Sequence, residues 1–105
     1  MTYQTLVHQL KVISDVNRLE IINILSCGEL CACDLLEHFQ ISQPTLSHHM
    51  KILVDCHIVQ MRKEGNKRIY QLNYPVLDEL QATLKQLTTP TSTCACHSIK
   101  RDGCV

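Results

Sequence analysis

The sequence predicts a mainly α fold of the α+β kind, about five helices with a two-stranded β-hairpin. Three observations carry that prediction. Apolar residues recur at i, i+3/i+4 spacing through most of the chain, which is the helical period. One segment, His57 to Leu72, instead alternates apolar and polar residues around a Gly65-Asn66 pair, a hairpin pattern. Glu29 to Asp55 holds two short amphipathic stretches joined by Gln40-Ile41-Ser42, which is the layout of a helix-turn-helix. A helix-turn-helix followed by a hairpin with a basic tip makes a winged helix-turn-helix.

Each element follows from local signals. Leu6, Val7, Leu10 and Ile13 form a stripe, so a first helix is expected over residues 3–13. Ser14 or Asp15 can cap a second helix, whose apolar face is Leu19, Ile22 and Leu25, widened by Ile21 and Ile24. Cys27-Gly28 ends it, with Gly28 suited to a left-handed position. A third helix is expected from near Leu30 to about Phe39, with Leu35 and Phe39 toward the core. Ser42 is an N-cap for a fourth helix, with Pro44 tolerated in its first turn and Leu46, Met50 and Leu53 on its buried side. Tyr74-Pro75 opens a last helix striped by Val76, Leu77, Leu80, Leu84 and Leu87.

At 105 residues this is one small domain. Such a domain buries a modest share of its surface, so a second copy would help it. The leucines of the last helix exceed what so thin a domain can cover. A homodimer is therefore expected through the first and last helices, with Leu6, Leu10, Leu77, Leu80, Leu84 and Leu87 at the interface. The winged-helix and dimerisation domain spans 1–88. Residues 89–105, from the TTPTST linker into CACHSIKRDGCV, form a Cys-rich tail expected to be mobile until something binds it.

The formal charge is zero, so the distribution of charge decides what the surface attracts. Bases gather at Arg62, Lys63, Lys67 and Arg68 around the hairpin. On the fourth helix, Gln43, Thr45, Ser47, His48 and Lys51 make a polar face free of acids, which suits base edges and phosphates of double-stranded DNA. Lys63, Lys67 and Arg68 are expected on phosphates, the alternative being a solvated hairpin tip. His48 is expected toward DNA and His49 toward the core. The opening MTYQTLVHQLKVISD lacks the pattern of a signal peptide, and no window is apolar enough to span a bilayer. A cytoplasmic protein with no membrane partner is expected.

Seven cysteines in a reducing compartment point to ligands or redox groups rather than structural disulfides. Thiolates select soft, thiophilic ions. Cys31 and Cys33, both expected in the third helix, lie about 200° apart around its axis. To share one ion their sulfurs must come within about 4 Å. Binding should then deform the start of that helix and misalign the next one. A coupling of about 1–3 kcal/mol, or roughly 5–150-fold in DNA affinity, would be enough. Cys94 and Cys96 form a second Cys-x-Cys, open to a role as third ligand, separate site, cross-subunit site or none. Cys104 carries less signal. Cys27 and Cys56 end helices beside apolar residues and are read as buried structural thiols, with Cys27 a reserve ligand. His97 could complete a zinc-like site; His8, His38 and His57 are read as surface or partly buried groups.

Glu29-Leu30-Cys31-Ala32-Cys33-Asp34-Leu35, followed by Ser42-Gln43-Pro44-Thr45-Leu46-Ser47-His48-His49-Met50, closely resembles the ArsR/SmtB family of metal-responsive repressors. ELCACDL is similar to that family's metal box and SQPTLSHHMKIL to its recognition helix. The likeness spans roughly Leu6 to Leu87, and the tail Cys-x-Cys is similar to versions from Gram-positive bacteria. The resemblance implies a homodimeric repressor of an arsenical-resistance operon. Its apo dimer would bind operator DNA and leave when As(III) or Sb(III), the inducer, binds cysteine thiolates; no organic cofactor is implied. Two departures stand out. Some members carry a third cysteine where this chain has Leu36. Others bind zinc on the last helix, where Asp78 is present but Leu80 replaces a histidine.

Other readings stay open beside it. A Cd(II), Pb(II) or Zn(II) sensor could use four sulfurs from Cys31, Cys33, Cys94 and Cys96. A thiol-redox repressor would respond to peroxide without metal, and a metal buffer would need neither the polar helix face nor the basic hairpin. An enzyme would call for a Cys-x-x-Cys or a Gly-rich phosphate loop in a βαβ unit, which this sequence lacks, so no catalysis is expected.

Overall fold

The computed structural model describes residues 1–90. In order the elements are α1 (Tyr3–Ile13), α2 (Val16–Leu25), β1 (Leu30–Cys31), α3 (Ala32–His38), α4 (Gln43–Asp55), β2 (Val59–Glu64), β3 (Lys67–Leu72) and α5 (Tyr74–Leu87). The tail cysteines Cys94, Cys96 and Cys104, His97, and nearly all of the 89–105 segment lie outside the described residues.

Caps set the helix starts. Thr2 accepts the backbone N–H of Thr5 at α1, and Asp15 accepts that of Arg18 at 3.1 Å at α2. That hydrogen bond holds the Asp15 carboxyl below its ordinary pKa. The buried face of α2 differs from the expected one. Ile21 and Leu25, four residues apart, are fully buried, whereas Leu19 is 52% exposed. Leu19 stands two residues from Ile21, about 200° around the helix, and so faces outward.

Ser42 caps α4, accepting the Thr45 N–H at 3.3 Å, with Pro44 in the first turn. The helix ends in a Schellman arrangement: Ile58 N–H donates to Leu53 C=O and His57 N–H to Val54 C=O. His57 takes the left-handed position at φ 64°, where glycine is commoner. Asn73 Nδ2 steadies it by donating to the His57 carbonyl at 2.8 Å, and Leu53 and Ile58 bury their side chains completely in the core.

The sheet has three antiparallel strands in the order β1-β3-β2, one more than the expected hairpin. β2 and β3 pair from Val59↔Leu72 to Glu64↔Lys67 around Gly65, whose φ of 61° opens the two-residue turn. The extra strand is Leu30–Cys31, paired as Leu30↔Tyr70 and Cys31↔Ile69. Those residues were expected to begin the third helix. They are extended instead, because the free edge of β3 offers backbone partners that a helix start cannot use.

The core gathers Ile21 and Leu25 from α2, Leu35 from α3, Leu46, Met50 and Leu53 from α4, and Ile58, Val59, Tyr70 and Leu72 from the sheet segment. Leu35 is the one buried residue of α3, so it pins that short helix to the domain. Leu6 and Leu80 are already covered within the chain, and Leu77 packs against the core. Leu84 is 38% exposed and Leu87 50%, and α1 leaves Tyr3 and Val7 exposed as well. Among the described residues no helix is long and apolar enough to cross a membrane.

Candidate DNA-binding face and thiol site

The polar face of α4 is where the sequence places it. Gln43, Thr45, Ser47, His48 and Lys51 are all exposed, while Leu46, His49, Met50 and Leu53 turn inward. The two adjacent histidines separate as their spacing requires: His48 is exposed, and buried His49 has Nδ1 3.4 Å from Arg18 Nη1. Lys51 has a weak partner in Asp55 at 3.4 Å, both well exposed, so its charge remains available to a phosphate.

On the wing, Lys63, Lys67 and Arg68 are exposed. Arg62 differs from them. Its guanidinium holds Glu29 in a fork at 2.6 and 2.7 Å and Glu64 at 3.0 Å. Two carboxylates on one cation raise its already high pKa further and offset its charge. The sequence showed the cluster of bases but not this long-range neutralisation, because Glu29 lies thirty-three residues away in the chain.

The thiol pair lies at the start of α3, but not in one helical turn. Cys31 is the N-cap, extended at φ −83° and ψ 163°, and only Cys33 stands inside the helix. The expected 200° separation of two helical side chains therefore does not describe this site. Cys31 is buried and held by a neighbour: its Sγ donates to Asp34 Oδ2 at 3.1 Å, and its backbone N–H donates to the same oxygen at 3.3 Å. The carboxylate thus caps the helix and grips the thiol together. The hydrogen bond to Asp34 raises the Cys31 pKa, because ionising the thiol would set two negative groups against each other. The backbone N–H groups of Asp34 and Cys33 pull the opposite way, toward thiolate. The same thiol bond lowers the pKa of Asp34, with a smaller contribution from the charge of Lys67 on the wing.

Cys33 is exposed and lines an open cleft between α3, α4 and the wing. Across that cleft stand Gln43, Ser47, Lys67 and Arg68, four of the residues expected to meet DNA, over an apolar floor that includes Leu36 and Met50. Cys33 and the polar face of α4 thus share a wall. Cys56 is buried as expected, and burial raises its pKa. Cys27 is exposed, contrary to expectation, because it follows the end of α2 in a turn rather than packing beneath it. Among the described residues no group of three His, Cys, Asp or Glu side chains is preassembled for a metal ion. Two thiols at one helix start still form a soft donor set, which fits a thiophilic ion and not Mg²⁺ or Ca²⁺.

Comparison with known proteins agrees with this arrangement. Residues 15–61 match the family profile described as bacterial regulatory protein, arsR family. The chain is 56% identical over 104 residues to an arsenical resistance operon repressor of Staphylococcus aureus, covering 99% of this chain and 100% of that protein. A crystal structure of a possible transcriptional regulator for arsenical resistance superposes with a TM-score of 0.70 at 29% identity, covering 78% of this chain and 85% of the other. A homodimeric winged helix-turn-helix DNA-binding domain from Mycobacterium bovis shares the fold, with a TM-score of 0.67 at 20% identity over 80% of this chain and 78% of that one.

Proposed function

The chain belongs to the arsR family of bacterial regulatory proteins, and from that premise we propose that it is the repressor of an arsenical-resistance operon, released from its operator when Cys31 and Cys33 capture trivalent arsenic or antimony. It works as a homodimer on double-stranded operator DNA in the cytoplasm. Gln43, Thr45, Ser47 and His48 read base edges from α4, while Lys51, Lys63, Lys67 and Arg68 hold phosphates. Tyr3, Val7, Leu84 and Leu87, apolar and exposed on α1 and α5, supply the dimer contact.

The observation that carries the reading is the grip of Asp34 on Cys31. To share a ligand with Cys33, Cys31 must turn its sulfur away from Asp34, and its proton leaves as water with the arsenite hydroxyl that the sulfur replaces. The carboxylate then loses its thiol donor and keeps only the longer backbone bond of the cap. The first turn of α3 loosens, and through Leu35 the disturbance reaches the core shared with Leu46 and Met50 of α4. A soft ion supplies the bond energy that offsets the lost thiol bond; a coupling of about 1–3 kcal/mol is enough to empty an operator. Capture at Cys33 also crowds the cleft shared with Ser47, Lys67 and Arg68. The tail thiols Cys94 and Cys96 are proposed as the source of a third sulfur, the segment from 89 onward serving as a Cys-rich arm on the 1–88 domain.

The test is a titration of the operator complex with arsenite, antimonite, Cd²⁺ and Zn²⁺, in the parent and in Cys94→Ser. Release by the two metalloids at the lowest concentrations, weakened in the variant, supports the reading. Release by Cd²⁺ or Zn²⁺ with no response to arsenite would replace it with a divalent-metal sensor.

A further inference from the structure

The Arg62 fork joins two parts of the molecule that the backbone connects only weakly. β1 is two residues long, and it touches the wing only through its pairing with β3. Cys31 and Arg62 both stand opposite Ile69, on either side of it, so the three form one row across the sheet. Residues paired in this way direct their side chains to one face, and Glu29, two residues before Cys31, shares that face. Arg62 reaches back over Ile69 and takes the Glu29 carboxylate through Nη1 and Nη2 at 2.6 and 2.7 Å. Glu64 fixes the base of the same guanidinium, accepting from Nε at 3.0 Å. Among the described side-chain hydrogen bonds, this fork alone ties the segment 29–31 to β2.

We propose that Glu29 and Arg62 form the clamp through which capture at Cys31 and Cys33 is passed to the wing, making both of them positioning residues for operator release. The proposal rests on the reading of Cys31 and Cys33 as inducer ligands. When Cys31 turns from Asp34 to share a ligand, β1 shifts with it, and Glu29 is the next side chain in line. A forked pair transmits displacement because it fixes both distance and plane. Arg62 therefore drags β2 and the hairpin that carries Lys63, Lys67 and Arg68. Without the clamp, the thiol segment moves and the wing stays on its phosphates.

The experiment uses the full chain as parent, Glu29→Gln, Arg62→Met and the charge swap Glu29→Arg with Arg62→Glu, in which the new arginine faces two acids. Operator Kd is measured without ligand and in saturating arsenite, and loss of free thiol reports capture separately. The ratio of the two Kd values should fall roughly two- to fivefold in each single variant, the range an exposed pair can supply. Thiol capture should stay equal, and the swap should recover the ratio. Single variants that keep the parent ratio overturn the clamp, as does a swap that fails to restore it. A parent that keeps its operator in saturating arsenite removes the induction and the clamp together; a responsive parent with equally responsive variants removes the clamp alone.

Discussion

Cys31 Sγ lies 3.1 Å from Oδ2 of Asp34, the same oxygen that accepts the Cys31 backbone N–H. One carboxylate therefore both begins α3 and restrains the thiol proposed to take the inducer. The bond raises the Cys31 pKa and lowers that of Asp34, so it works only while the thiol is protonated and the carboxyl is not. Stability from the raised thiol is present below the unfolded thiol pKa and is lost as pH rises through the folded one. Stability from the lowered carboxyl is present above the unfolded carboxyl pKa and is lost as pH falls through the folded one. In Asp34→Asn, the deficit in urea midpoint relative to the parent should be greatest near neutral pH and shrink toward both acid and alkali. A deficit independent of pH would show that the bond does not titrate as described.

The start of α4 is capped by one hydroxyl. Ser42 accepts the Thr45 N–H at 3.3 Å. Ser42→Ala should lower stability by about 1 kcal/mol, and Ser42→Asn should largely keep it. Equal urea midpoints for Ser42→Ala and the parent would remove the cap from α4.

Phosphate contacts and base contacts separate by salt. Lys67→Ala should weaken binding to every DNA sequence alike and reduce the salt slope of log K by about one. Substitution of Ser47 or His48 should instead change base preference with the slope intact. An unchanged slope in Lys67→Ala would take Lys67 off the phosphate backbone and leave it as a counter-ion to Asp34.

Exposed apolar side chains on α1 and α5 call for a partner surface. Leu84→Glu should shift sedimentation from dimer to monomer and weaken operator binding with it, since two half-sites need two wings. A dimeric Leu84→Glu would place the interface elsewhere.

Much of this was legible in the sequence because it is written locally. Ser42 followed by Gln43-Pro44 marks a helix start whatever surrounds it, and Gly65-Asn66 between alternating residues marks a hairpin. Leu46, Met50 and Leu53 fall on one side by helical period alone. What could not be read depended on distant partners. Leu30 and Cys31 look helical until the edge of β3 is present to pair with them. Arg62 looks like one more base of the hairpin cluster until Glu29 folds against it. Leu19 looks like core until Ile21 and Leu25 take that face. His57 carries no signal for a left-handed backbone, which Asn73 supports from sixteen residues away. Among the candidate site residues, the pair of thiols was visible in the sequence, but its geometry was not. An N-cap cysteine held by an acid three residues on differs from two cysteines in one helix, and the proposed source of strain moves from the helical turn to its cap.

The most direct measurement is operator release in variants that keep the fold but lose a sulfur. Cys31→Ser and Cys33→Ser, each with parent-like circular dichroism and operator affinity, are titrated with antimonite while bound to fluorescent operator DNA. Both should stay bound at concentrations that free the parent completely. If either lets go at the same concentration as the parent, capture by this pair of thiols is not what opens the complex.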